Sequence, residues 1–343
     1  MQRMGRLAVV TLPQCIDRSN VDQVGEQLPL VINRGAAAQA GATASRWTVT
    51  GIRPGADHRQ HPAQAQKARE KAMNDYPVEI PGLPSEQAIN RLVSQLEPYR
   101  RITQPKFYGI DNIPDDGSLL AGNHTIYGFL DLPLMIAEIW KQRRIMVRGL
   151  GENAHYKVPV WREALDACGM VRGTRDNVRA LMRDHETILV FPGGSREVFK
   201  RRGQQYQLLW RERMGFARLA IEHGYPVIPC AAVGAEDMLD VIADVDTPIY
   251  GEFARLSKKV MGFPTPPVVR GVGLTGIPRP ERLYFWFDEP VGTTRFAGQD
   301  ADTAARTLRD EVKRAVLAGI QFLRDERDKD PDRNLVNRLF RLQ

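Results

Sequence analysis

Residues 121–133 read AGNHTIYGFLDLP, and two of their side chains could move protons. An imidazole such as that of His124 titrates near neutrality. As a general base it can take the proton of an attacking hydroxyl, a service worth about 10²–10⁴-fold in rate. Asp131 lies seven residues on, close to two helical turns of about 3.6 residues, so a helix would return it to nearly the same face. A carboxylate on the far ring nitrogen would fix the tautomer and stabilise the imidazolium. A second reading competes: His124 caps the helix that follows and Asp131 faces solvent. The pair alone does not decide between them.

A second stretch, VFPGGSREVFK at 190–200, runs from an apolar strand pattern into Pro-Gly-Gly. Backbone N–H groups left free at the carboxyl end of such a strand suit an anionic or oxyanionic group. Arg196, Glu197, Lys200, Arg201 and Arg202 follow at once; a tight turn with a solvated charge run is the alternative. The same residues imitate a serine-hydrolase elbow, but Glu197 stands where that turn needs its second glycine, so Ser195 is rejected as a nucleophile. GVGLTG at 271–276 matches a dinucleotide fingerprint in letters only, because Pro278 and Pro280 follow where a helix would have to open.

In order along the chain, GNHTIYGFLD, GMVRGTRDN, FPGGSRE and VIPCAAVG resemble the four blocks of the glycerolipid acyltransferase superfamily, typified by lysophosphatidic acid acyltransferases. The resemblance spans about residues 100–290. FPGGSRE and the segment after it are similar to the diacylglycerol acyltransferase-like branch, which includes the phytyl ester synthases. What this implies is acyl transfer from an acyl-CoA or acyl-carrier-protein thioester to a lipid hydroxyl, with His124 as base, no cofactor and no metal. The N–H groups of Gly193, Gly194 and Ser195 would meet the oxyanion, and Arg175 and Arg196 the phosphates of donor or acceptor. The family separates its His and Asp by four residues, whereas six lie between His124 and Asp131, and the shorter spacing falls on Phe129. The orienting carboxylate is therefore Asp131 in another local geometry, or Glu197. Gly193 replaces a glutamate of the third block, which favours a neutral alcohol over a glycerol phosphate. A lysophosphatidic acid acyltransferase and a non-catalytic lipid-binding protein on the same fold remain the alternatives. The catalytic reading requires His124 to open onto an apolar cavity.

These residues need a scaffold that brings strand ends together. Ser85 is placed as the cap of a helix, and PKFYGID, SLLAGN, RIMVRGL, TILVF, PVIPCAAVG and ERLYFWFDEPV read as strands. Helical patterns cover 131–142, 157–167, the segment from Thr174 through TRDNVRALMRDH, 206–223 and 302–327. The alternation predicts an α/β fold, a single domain with a mainly parallel central sheet flanked by helices. Residues 1–82 read as a poorly ordered N-terminal extension, 83–300 as the acyltransferase domain, and 301–343 as a C-terminal helical segment packing on it, with an amphipathic tail.

The composition is compatible with this. Of the 343 residues 43% are hydrophobic and 26% charged, a globular balance. The three cysteines, Cys15, Cys168 and Cys230, have no metal-ligand spacing and suit a reducing compartment. The net charge of +7 does not argue for nucleic acid; a local excess of five between Arg196 and Arg218 lies beside the third block. With no apolar stretch of the roughly 18–20 residues that a spanning helix needs, a cytoplasmic protein, peripheral on the inner face of the membrane, is expected. The helix at 206–223 and the tail NLVNRLFRLQ are the two candidates for membrane contact.

Overall fold

The computed structural model describes residues 78–153, 155–261 and 265–340. The reading of residues 1–77 lies outside them. Seven strands form one sheet: β1 (Lys106–Tyr108), β2 (Leu119–Gly122), β3 (Val147–Gly151), β4 (Val171–Arg172), β5 (Thr187–Val190), β6 (Val227–Val233) and β9 (Tyr284–Phe287). Their order is β1-β9-β6-β2-β5-β3-β4. The five strands from β6 to β4 are parallel, and β9 joins them antiparallel on β6. β2 and β6 are buried along their whole length, as strands covered on both faces must be, which is why LLAG and VIPCAAV carry no alternation.

Helices cover both faces. On one, α3 (Leu132–Arg143) packs Leu134, Met135 and Ile139 over β2 and β5. The other is covered by α5 (Arg175–Arg183), α7 (Gly215–Glu222) and the 29-residue α9 (Ala301–Lys329). In α9 the residues Leu308, Val312, Val316 and Ile320 recur every fourth position and are buried, the stripe of a helix lying on a sheet. Gly319 lets α9 come close to β9: a Cβ there would stand 2.2 Å from the Trp286 ring. Two helices, α1 (Glu86–Gln95) and α2 (Glu97–Thr103), precede β1, and Ser85 and Thr174 cap α1 and α5 by accepting backbone N–H bonds.

One expectation needs correction, and the structure places two further elements. The helix read over 206–223 is only α7, from Gly215; before it the chain is irregular, because Tyr206 and Arg211 adopt left-handed φ of 60° and 50° and Trp210 turns wholly inward against Phe216. The tail forms α10 (Leu335–Phe340), but Arg338 is buried there and donates to the carbonyls of Thr103 (3.2 Å) and Pro280, so this helix is docked. Beyond β6, a hairpin of β7 (Asp240–Ala243) and β8 (Val268–Arg270) encloses α8 (Pro248–Met261), none of it foreseen. Two short helices complete the set, α4 (Pro159–Ala167) and α6 (Ser195–Val198). No helix among the described residues is long and apolar enough to cross a membrane.

Candidate active site at the carboxyl edge of the sheet

β2 and β5 are neighbours, with Ala121 paired to Val190, so His124 and Gly193 each lie three residues beyond the same rung. The chain leaves β2 for α3 on one face and leaves β5 for α7 on the other. Their carboxyl ends therefore open the kind of crevice in which parallel sheets bind ligands. Asn123 pins the β2 loop by exchanging two hydrogen bonds with Ala232 of β6, 3.0 and 2.9 Å.

His124 does not cap α3. Its Nδ1 lies 3.1 Å from the Thr125 carbonyl, and a carbonyl only accepts, so Nδ1 carries the proton and Nε2 keeps its lone pair. The ring rests on Phe191, centroids 4.3 Å apart. Burial pulls its pKa down to about 4, the Thr125 carbonyl opposes this, and the Lys200 cation adds to the lowering. The imidazole is thus neutral at physiological pH, as a base must be. The acid limb of kcat/KM should accordingly fall near pH 4 instead of the ordinary histidine value of about 6.5. A pH–rate profile of the free enzyme measures this directly.

The helix cap is Asp131. One of its oxygens accepts from the Leu132 N–H (2.8 Å) and from the Thr125 hydroxyl (2.9 Å). Asp131 is buried and does not face solvent; burial pushes its pKa up to about 7 against those two donors. Asp131 therefore reaches His124 through Thr125, whose hydroxyl it holds and whose carbonyl holds the ring. The two extra residues of spacing go into a turn where Tyr127 and Gly128 both take left-handed φ, 59° and 68°. Gly128 lies against the imidazole: a Cβ there would sit 2.2 Å from His124 Cε1. Gly128→Ala should displace the ring and cost at least about tenfold in kcat, while the strained φ removes about 1 kcal/mol of stability. Turnover and Tm of the one variant read both effects. Phe129, where the shorter spacing falls, is exposed.

Glu197 is fully buried and takes another part. Its carboxylate accepts from the backbone N–H of His124 (2.9 Å) and of Leu209 (2.7 Å), tying the β2 loop to the chain after β5. Burial raises its pKa; those two N–H donors and Lys200 oppose the rise. The carboxylate fills the space that a side chain at 193 would need, since a Cβ on Gly193 would lie 2.1 Å from Glu197 Cδ. A glutamate at 197 and one at 193 thus exclude each other, which accounts physically for Gly-Gly here.

Gly194 has φ 57° and ψ −146°, a conformation open to glycine almost alone. The strain sits there and not at Ser195, so Ser195 lacks the geometry of a nucleophile elbow. The Gly194 N–H donates to Phe191 O (2.9 Å), which takes it out of the expected oxyanion set and leaves the Gly193 and Ser195 N–H groups. Arg213 braces the turn through the carbonyls of Pro192 and Gly193, 3.1 and 3.2 Å. Arg196 lies on α6 beside the turn. Arg175 opens α5 beyond β4, farther along the same edge; the Glu222 carboxyl is held low chiefly by its hydrogen bond to Arg179, with a small addition from Arg175. Cys230 is buried with its thiol pushed up to about 12, inert as a nucleophile.

Sequence reasoning missed the support beneath this site. Lys200, read as part of a charge run, is buried and ion-paired with Glu236, which also accepts from the Tyr206 N–H. The Tyr206 hydroxyl in turn donates to Asp237, which Arg327 of α9 also binds. The signal available was the pair Glu236-Asp237 placed directly after an apolar strand. The cavity behind the turn, walled by Asn123, Thr125, Asp131, Phe191 and Cys230, measures about 10 Å³, room for about one water. It is too small for an acyl chain, so the apolar cavity expected at His124 is not this one.

The fold and site define a class: a layered α/β domain with a neutral histidine and a glycine turn at the carboxyl edge of a parallel sheet. Residues 104–233 match the family model described as Acyltransferase. It is 28% identical over 264 residues to phytyl ester synthase 2, chloroplastic, of Arabidopsis thaliana. To phytyl ester synthase 1, chloroplastic, of the same plant it is 29% identical over 252 residues. Each match covers 67% of this chain and 36% of the plant protein, so the chain spans about a third of the length of these relatives. Among solved structures it resembles the 1-acyl-sn-glycerophosphate acyltransferase of Thermotoga maritima, with a TM-score of 0.44 and 17% identity, covering 77% of this chain and 89% of that one.

Proposed function

We propose that the domain moves an acyl group from a thioester, on coenzyme A or a carrier protein, to the hydroxyl of a neutral lipid alcohol at a membrane surface. The observation that carries this reading is the 3.1 Å contact of His124 Nδ1 with the Thr125 carbonyl, which assigns the proton to Nδ1 and the lone pair to Nε2, beside a turn of backbone donors. Nε2 takes the proton of the acceptor hydroxyl as its oxygen attacks the thioester carbonyl. The tetrahedral oxyanion meets the Gly193 and Ser195 N–H groups. As it collapses, the thiolate leaves and takes the same proton from His124, so the ester and the free thiol are the products. No acyl-enzyme and no cofactor enter this scheme. A neutral acceptor is supported by Gly193, whose position excludes the third-block glutamate of the phosphate-acceptor enzymes, and by relatives named for phytyl esters. Arg175 and Arg196 are then assigned to the phosphates of the donor.

Radiolabelled acyl-CoA supplied with diacylglycerol, phytol or lysophosphatidic acid tests the proposal. Ester is expected on the neutral alcohols; product on lysophosphatidic acid alone would replace this reading with that of a phospholipid-precursor enzyme. Absence of transfer to any acceptor, with lipid binding retained, would favour a non-catalytic lipid-binding protein.

A further inference from the structure

We infer that the carboxyl edge of the sheet is a docking face for an anionic lipid surface, an inference that rests on the acyl-transfer reading because it brings His124 up to a bilayer. Twenty large apolar side chains are exposed among the described residues, and thirteen lie in three segments: 123–131, 152–161 and 234–280. Those segments hold about a quarter of the described chain. They leave the carboxyl ends of β2, β3 and β6, which are parallel, and so they crowd onto the edge that carries His124. Besides the Lys200–Glu236 and Tyr206–Asp237 bonds, further hydrogen bonds hold the last segment to the site. The Tyr127 hydroxyl donates to the Pro267 carbonyl (2.6 Å), and Arg202 donates to the carbonyls of Val241 and Ile242, at 3.4 and 2.6 Å.

The shape of these groups suits a fluid apolar phase. On α8, Ile249, Phe253 and Leu256 follow the i, i+4, i+7 spacing of one outward stripe, while Gly251 and Ala254 face inward. Ile249 is 89% exposed. After β8, residues 271–277 form a tight loop closed by Gly271 N–H to Thr275 O (2.7 Å) and Val272 N–H to Ile277 O (2.8 Å), with Leu274 at its apex and 91% exposed. Trp161 projects from α4, no residue of which is buried. These are protruding tips and not a groove for another protein to fill, the pattern of residues that enter the headgroup and acyl boundary.

Charge points the same way. The fourth segment on this edge, leaving β5, presents Arg202 and Arg211 to solvent; Arg201 pairs with Asp246 (2.9 Å), and the exposed Glu212 pairs with Arg306 and Arg309 of α9. The Arg202 guanidinium rests on backbone carbonyls, so its charge stays available to anionic headgroups. The Glu197 and Lys200 charges of the same segment are buried and directed inward.

Flotation of the full chain with phosphatidylcholine vesicles, with and without phosphatidylglycerol, tests this. The chain should float with the anionic vesicles. The double variant Ile249→Asp/Phe253→Asp and the single variant Leu274→Asp should each weaken partitioning by about tenfold or more. Leu317→Asp, an exposed position on α9 away from this edge, should float like the parent. Failure of the parent to float, equal flotation of the tip variants, or equal loss in Leu317→Asp overturns the docking face. So does a parent dimer in light scattering that the tip substitutions split without any vesicle binding. A parallel assay with a short-chain thioester and a water-soluble alcohol separates the two ideas: lost flotation in the tip variants with no transfer by any protein keeps the face and removes the acyl-transfer reading.

Discussion

Replacing His124 by alanine is expected to lower kcat for acyl transfer by about 10²–10⁴-fold while leaving the fold in place. The residue lies at the rim of the core, the ring's one hydrogen bond is to the adjacent Thr125 carbonyl, and it packs on the Phe191 ring and against Gly128. Removal therefore opens a small gap at a loop and leaves the Asp131–Thr125 and Glu197–His124 N–H bonds intact, since neither uses the imidazole. What is lost is the lone pair on Nε2. KM for the thioester should move little, because a base acts on the proton in flight and not on the bound ground state. Ser195→Ala is the matched control: it keeps the backbone N–H and should hold kcat within a few-fold, whereas an esterase built on Ser195 would be abolished. Rate measurements on both variants, with Tm to check folding, decide between them. A His124→Ala protein that turns over at the parental rate removes His124 from the mechanism.

Lys200→Met carries the largest expected effect on stability, about 3–5 kcal/mol, because it strips the partner from a buried carboxylate. Lys200 and Glu236 are both nearly inaccessible to water and bond to each other. Glu236 gains from the Tyr206 N–H as well, but a single amide cannot replace an ammonium. The double variant Lys200→Met/Glu236→Gln removes both charges and should recover much of the loss, since an amide at 236 can still accept from Tyr206. Urea unfolding of the three proteins measures the pattern; equal stability of the single and double variants would show the pair to be uncoupled. Loss of Lys200 also reaches the site. Its cation helps hold the His124 pKa down and opposes the rise at Glu197, so without it both groups titrate higher and the acid limb of kcat/KM moves up in pH.

The two predictions rest on features that were unequally visible in the chain. Runs such as TILV and VIPCAAV declare buried strands because no polar residue interrupts them, and alternation with helical segments then leaves a parallel sheet as the economical arrangement. Ser85 and Thr174 were legible as caps because capping is local, three residues in reach. His124 was legible as a candidate because its neighbours form blocks in order. The segment 206–223 misled for the opposite reason. Its apolar residues fall at helical spacing, yet Trp210 is drawn into the core and two left-handed residues break the helix, a long-range packing gain overriding a local pattern.

By itself the chain determined the strand runs, the caps at Ser85 and Thr174, the glycine turn at 193–194 and which histidine is the candidate base, all properties of residues within a few positions of one another. Only the tertiary structure decided how those parts are held. It routed Asp131 to His124 through Thr125, gave Glu197 the backbone of the histidine loop in place of its ring, and joined Lys200 to Glu236 across 36 residues. It also left Ile249, Phe253 and Leu274 exposed between β6 and β9. The physical reason is the reach of the forces: capping and turn preferences act along a few bonds of chain, whereas burial fixes which charge must find which partner, and only the folded sheet says who is near.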